Sequence, residues 1–177
     1  MSLRDLTKDK HTEAESTAFM KAVFDNKMPL HLWANFTYNK MLFYGAIEAK
    51  ARAEGLMDDL PGIDRSYWLY TDYKAMREND ARVRSTVLIT VHKYRRYILD
   101  LEPGKVLAHL YTWHMGDLHG GQMIKKMIVA PHRSLDFEDR VGLINKMRTK
   151  LDDSLSEEAN NAFDWAIRIM KEYDGDI

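Results

Sequence analysis

Three features of the sequence predict an all-α fold. Apolar residues recur at helical spacing through most of the chain. No stretch alternates apolar and polar residues long enough to make a strand. The four prolines, Pro29, Pro61, Pro103 and Pro131, stand at intervals that suit helix starts and breaks. The 177 residues are the size of one ordinary domain, and no linker, repeat or low-complexity segment divides them, so a single unit over 1–177 is expected.

The first helix is expected to start at Ser2, where Ser2 and Asp5 form a capping-box-like pair, and to run to about Asn26. The second starts near Pro29 and stops at about Gly55, using proline as a first-turn residue and glycine as a stop. A shorter helix covers Trp68 to Glu78, and a fourth runs from about Val83 to Leu101 before the turn Glu102-Pro103-Gly104. The fifth runs from about Lys105 to Val129 and ends before Pro131, and the sixth covers about Leu135 to Asp152. The last is capped by Ser154 or Ser156. It carries Ala159, Ala162, Phe163, Ala166, Ile167 and Met170 on one apolar stripe.

Composition excludes several chemistries. At 45% hydrophobic and 30% charged, the chain can build a full core. A net charge of -1 gives no global argument for a nucleic-acid or membrane partner. With no cysteine, a thiolate-ligated heme, a CxxCH attachment, an iron–sulfur cluster and a Cys-type zinc site are all impossible. The charged first ten residues do not resemble an apolar signal core, and no run approaches membrane-spanning length, so a soluble, cytoplasmic chain is expected. No G-x-G-x-x-G or Walker loop is present.

The fifth helix is the unusual one. Between Tyr111 and Gln122 it holds Gly116, Gly120 and Gly121 in a strongly helical context. Each interior glycine costs up to about 1 kcal/mol relative to alanine. Three readings remain open from spacing alone: a bare backbone face for a flat ligand, close packing against another helix, or the junction of two helices. Gly116 and Gly120, four apart, share a face, and Asp117 comes directly after Gly116. His109, His114 and His119 recur every five residues and cannot share a face, which argues against a three-histidine metal site.

The run from Leu107 to Gln122 resembles the distal-helix signature of the heme (haem) oxygenases, A-H-x-Y-T-R-Y-L-G-D-L-S-G-G-Q. His11-Thr12-Glu13-Ala14-Glu15 is similar to the family's proximal motif H-T-x-A-E, in the expected order and at about the expected separation. A weaker likeness extends through Tyr44 to Glu48 and Glu157 to Phe163.

The resemblance implies a helical bundle with heme b between a proximal and a distal helix. His11 would be the axial iron ligand. Glu15, one turn on, would orient the imidazole directly or through water. Gly116 and Gly120 would let the distal helix lie against the heme face, and Asp117 would organise a water network that supplies a proton. Arg4, Lys8, Tyr111 and Arg148 would meet the propionates, with Arg4 and Lys8 on the same helix face as His11. The reaction implied is O₂-dependent opening of the ring to biliverdin, the IXα isomer, with CO and Fe²⁺. Electrons would come from a ferredoxin, a flavodoxin or a reductase, docked on the basic stretches His92 to Arg96 and Lys125-Lys126. A downstream bilin reductase is a further implied partner.

The sequence departs from the pattern at several places. Trp113 stands at the motif's Arg, His114 at its Tyr and His119 at its Ser, while Ala166 replaces a polar Asn and Ile144 a second propionate Lys, for which Lys146 is a substitute. Tyr44 and Asp117 are retained. The competing reading is a non-catalytic heme binder (sensor, carrier or store) on the same fold, against which Asp117 argues. A di-iron carboxylate enzyme would need E-x-x-H pairs, and none occurs.

Overall fold

The computed structural model describes residues 1–177 and is helical throughout, with no strand. In chain order the helices are α1 (Leu3–Leu6), α2 (Lys8–Glu15), α3 (Ala18–Phe24), α4 (Leu30–Ala53), α5 (Ser66–Asn79) and α6 (Ile89–Leu99). They continue as α7 (Val106–Leu110), a π-helical turn over Tyr111–Met115, α8 (Gly116–His119), α9 (Gly121–Met127), α10 (Arg140–Lys150) and α11 (Ser156–Lys171).

Helix α4 is the axis of the bundle. It buries residues on every side, from Leu32 and Phe36 to Ile47 and Ala51, because α5, α6 and α7 pack around it. Helix α11 closes the other side against α2, α3, α6 and α7. All six residues of its predicted stripe, Ala159 to Met170, are buried. Phe43, Tyr94, Leu110 and Phe163, from four different helices, belong to one continuous core.

The boundaries differ from expectation where side chains offer the backbone another partner. The predicted first helix is three pieces. Its capping box forms, with Ser2 accepting from the Asp5 N–H. At Thr7 the chain leaves helical geometry (φ -111°, ψ 2°), and the Thr7 hydroxyl donates to the Leu3 carbonyl. Thr17 then caps α3 by accepting from the Met20 N–H at 3.2 Å. Hydroxyl side chains that bond nearby backbone compete with helix continuation.

The fourth helix starts at Ile89, not Val83. The amide of Asn35 donates to the Arg84 and Thr86 carbonyls, and Asn39 both donates to Thr86 and accepts from the Leu88 N–H, all at 2.9–3.0 Å. These two α4 side chains satisfy the segment before α6 without helix. The sixth helix begins at Arg140, capped by Asp139. No helix is long and apolar enough to cross a membrane.

Candidate active site

The distal helix does not run straight. Helix α7 enters fully buried, and the π-helical turn at Tyr111–Met115 comes immediately before Gly116. Such turns insert a residue and re-aim the helix beyond them, frequently at functional sites. The helix is interrupted there, and again at Gly120 between α8 and α9. Gly116 (φ -58°, ψ -43°) and Gly120 (φ -74°, ψ -25°) hold ordinary helical angles, so neither is needed for conformational freedom.

Space separates the three glycines into two roles. A methyl group at Gly121 would meet Leu135 Cδ2 at 2.9 Å, so Gly121 serves packing. One at Gly116 would meet no atom within 4 Å, and one at Gly120 only the Gly116 carbonyl, at 3.3 Å. Both lie exposed, so their face is open backbone.

Asp117 points the other way and is 5% exposed. Lys40 Nζ donates to Oδ1 and the Tyr44 hydroxyl donates to Oδ2, each at 2.7 Å. Burial, and then the Asp117 charge, hold the Tyr44 phenol well above its ordinary value, so it stays a donor. Lys40, Tyr44 and Glu48 are four apart and form one polar stripe along α4. Glu48 accepts from His114 Nε2 at 2.9 Å, from the Arg65 N–H at 2.6 Å and from the Ser66 hydroxyl. Burial raises the Glu48 carboxyl, but the His114 contact and these further bonds bring it below its ordinary value. The His114 ring stacks on Tyr44 with centroids 4.3 Å apart.

His109 belongs to a separate buried network. Its Nδ1 meets the Tyr94 hydroxyl at 2.6 Å and its Nε2 meets Glu158 at 3.0 Å. Trp113 turns the same way, its indole donating to Tyr94 at 3.0 Å. His109 and His114 thus serve different carboxylates and His119 is exposed, so the three histidines diverge as their spacing required.

His11 stands on α2 with its side chain 56% exposed. Phe163 of α11 packs edge-on against it at 5.7 Å. Its Nδ1 lies 3.7 Å from a Glu15 oxygen, longer than a direct hydrogen bond and suited to a bridging water. Its Nε2 makes no hydrogen bond within the protein.

Arg4, Lys8 and Arg148 are exposed on α1, α2 and α10. The break at Thr7 puts Arg4 on a separate short helix from Lys8 and His11. Tyr111 reaches the same junction, its hydroxyl 3.2 Å from that of Thr7. Partial burial, then the charges of Arg148, Arg140 and Arg4, hold the His119 imidazole below its ordinary value, which brings these arginines to one end of the distal helix. Arg140 also donates to the Leu118 carbonyl at 2.9 Å. Lys146 lies instead on the side of Asp59, where its charge acts with that of Lys150.

The sequence reading missed Lys40, Glu48 and Arg140. For the first two the signal was present: polar residues four apart, flanking Tyr44, on one face of α4. One concavity, with Lys40 and Lys125 in its lining, lies between α4, α5, α9 and the segment around His132, and a second lies between α5 and that segment; none of the residues expected to hold heme lines either.

The Heme oxygenase family profile matches residues 1–143. The chain belongs to the heme oxygenase family. Heme oxygenase 1 of Synechocystis is 24% identical over 99% of this chain and 84% of its own length. Heme oxygenase 1 of Nostoc is 27% identical, over 99% and 85%. Among solved structures, the Synechocystis heme oxygenase-1 complex with heme superposes with a TM-score of 0.84 at 22% identity, covering 98% of this chain and 91% of that one. The heme oxygenase of Leptospira interrogans gives 0.83 at 22%, covering 97% and 100%. The family's fold is therefore the fold observed here, with the proximal and distal motifs on α2 and on α7 to α9.

Proposed function

We propose that residues 1–177 act as one heme oxygenase unit that opens heme b with O₂ to biliverdin, CO and Fe²⁺, the IXα isomer being the one the family resemblance implies. The carrying observation is the open face at Gly116 and Gly120, backed by the buried Asp117 and served by an exposed His11 with a free Nε2. These residues fit the group. His11 would hold the heme iron through its imidazole, and Glu15, 3.7 Å from its Nδ1, would orient it through a water. Gly116 and Gly120 admit a flat ring against bare backbone. Arg4, Lys8 and Arg148 are cations with no ion-pair partner of their own, and with Tyr111 they suit two propionates. When bound, the heme iron supplies the oxygen-activating chemistry.

Asp117 handles the proton. Lys40 and Tyr44 fill two of the roughly four lone-pair sites of its carboxylate, and the others are free for water. A buried carboxylate dedicated to that position is unnecessary for a protein that only stores or carries heme.

Electrons come from a ferredoxin, a flavodoxin or a reductase in the cytoplasm. The docking surface includes exposed Lys126 and the exposed His92, Lys93 and Arg96; Lys125 is already paired with Asp136 at 2.7 Å. Reversing the charge of Lys125 and Lys126 slows turnover at low salt if that surface is used.

The test is product chromatography after incubation with heme and reduced ferredoxin. The wild type yields biliverdin. His11→Ala weakens heme coordination and shifts the Soret band, whereas Asp117→Ala retains heme and loses bilin formation. A wild-type Soret band that survives reduction in air, with no bilin absorption, overturns the reading.

A further inference from the structure

Asp117 is a buried carboxylate whose own helix brings it no cation. Trp113 is committed to Tyr94, His114 to Glu48, and His119 is exposed. The charge opposite Asp117 comes from α4, 77 residues away in sequence, as the ammonium of Lys40. Both partners are withdrawn from solvent, at 10% and 7% side-chain exposure. The ammonium also lies 4.9 Å from the centre of the Tyr44 ring, whose hydroxyl holds the second carboxylate oxygen. Asp117 is thus clamped at both oxygens by two residues one helical turn apart.

We propose that Lys40 is a positioning residue for the reaction: with Tyr44 it keeps Asp117 ionised and in one orientation behind the open Gly116 face, and so sets the proton affinity of the group that serves the water there. This rests on the heme oxygenase reading above. A carboxylate out of water is stable as an anion only when its charge is matched and its lone pairs are filled. Without the ammonium the same pocket favours the protonated acid, which is no longer an acceptor towards water on both oxygens. The charged and titratable groups around the pair are Tyr44 and Glu48 on α4, His114 on the π-helical turn, Arg65 before α5, and Arg140 of α10 at the adjacent Leu118 carbonyl. Glu48 is bonded to His114, Arg65 and Ser66, and the charge of Arg65 acts on Asp117 only from a distance; Lys40 is the one cation in contact with the Asp117 carboxylate.

The experiment uses the full chain with Lys40→Met, Lys40→Gln and Lys40→Arg. Infrared titration of the heme-free protein tracks the Asp117 carboxyl band, assigned by its loss in Asp117→Asn. In Lys40→Met and Lys40→Gln the band titrates about 1–3 pH units higher, the shift expected when an opposite charge at contact is lost. In the heme complex the pH at which bilin formation falls off on the acid side rises by the same amount, and heme affinity stays within about threefold. Lys40→Arg restores the wild-type profile. Lys40→Gln is shorter but polar and uncharged, so it reports the same shift if Lys40→Met fails to fold. Variants that lose stability but keep the wild-type carboxyl titration and pH profile, in an enzyme that makes bilin, overturn the proposal alone. A wild type that makes no bilin overturns the functional reading and the role of Lys40 with it.

Discussion

Gly116→Ala separates a glycine kept for a ligand from one kept for the fold. In the protein alone the new methyl meets nothing within 4 Å, and the backbone there is already helical. Alanine in place of a helical glycine stabilises by about 0.4–1 kcal/mol, largely by restricting the unfolded chain. For a chain of this length that is a rise of about 1–4 °C in melting temperature. A ring lying on the same backbone would meet the methyl as overpacking, which costs about 1–3 kcal/mol. Heme affinity should therefore fall by about 5- to 150-fold. The assay pairs thermal melting of the heme-free protein by circular dichroism with a Soret titration. Opposite signs are expected: firmer fold, weaker heme. A variant that melts higher and binds heme as the wild type does would show that the open face is not where the ring lies. A variant that melts lower would show that Gly116 is packed, against the geometry.

The same structure predicts three further outcomes. Gly121→Ala should be less favourable than Gly116→Ala in the heme-free protein, because its methyl must shift the end of the Leu135 side chain; we expect its melting temperature to fall below that of Gly116→Ala, and an equal one refutes the packing role. Glu48 and Glu158 are both held below the ordinary value of 4.5: burial raises each, but the bonds from His114 to Glu48, and from His109 and Tyr97 to Glu158, offset it. Their stabilisation is complete above that value and is lost as pH falls through the lowered one, so urea midpoints should drop steeply below about pH 4.5 and Glu158→Gln should flatten the drop; an identical slope in the variant counts against it. Arg148→Ala should weaken heme binding in a salt-dependent way and let the His119 imidazole titrate closer to its ordinary value by NMR, with the melting temperature within about 2 °C of wild type because Arg148 makes no ion pair; an unmoved His119 refutes the clustering.

What the sequence carried by itself was periodic or contiguous. The α11 stripe, the extent of α4, the Ser2 capping box and the two motifs are each encoded within a few turns of chain, where spacing dictates which side chains share a face. The divergence of His109, His114 and His119 was legible for the same reason. The tertiary structure decided whatever depends on partners distant in sequence. It showed that the segment before α6 is held extended by Asn35 and Asn39, since buried amides of another helix outweigh local propensity. It sorted Gly121 from Gly116 and Gly120, because only the position of Leu135 tells a packed glycine from an open one. It also supplied the counter-charge of Asp117, which no periodicity within the distal helix could reveal: Lys40 lies 77 residues away and meets Asp117 only when α4 packs beside that helix.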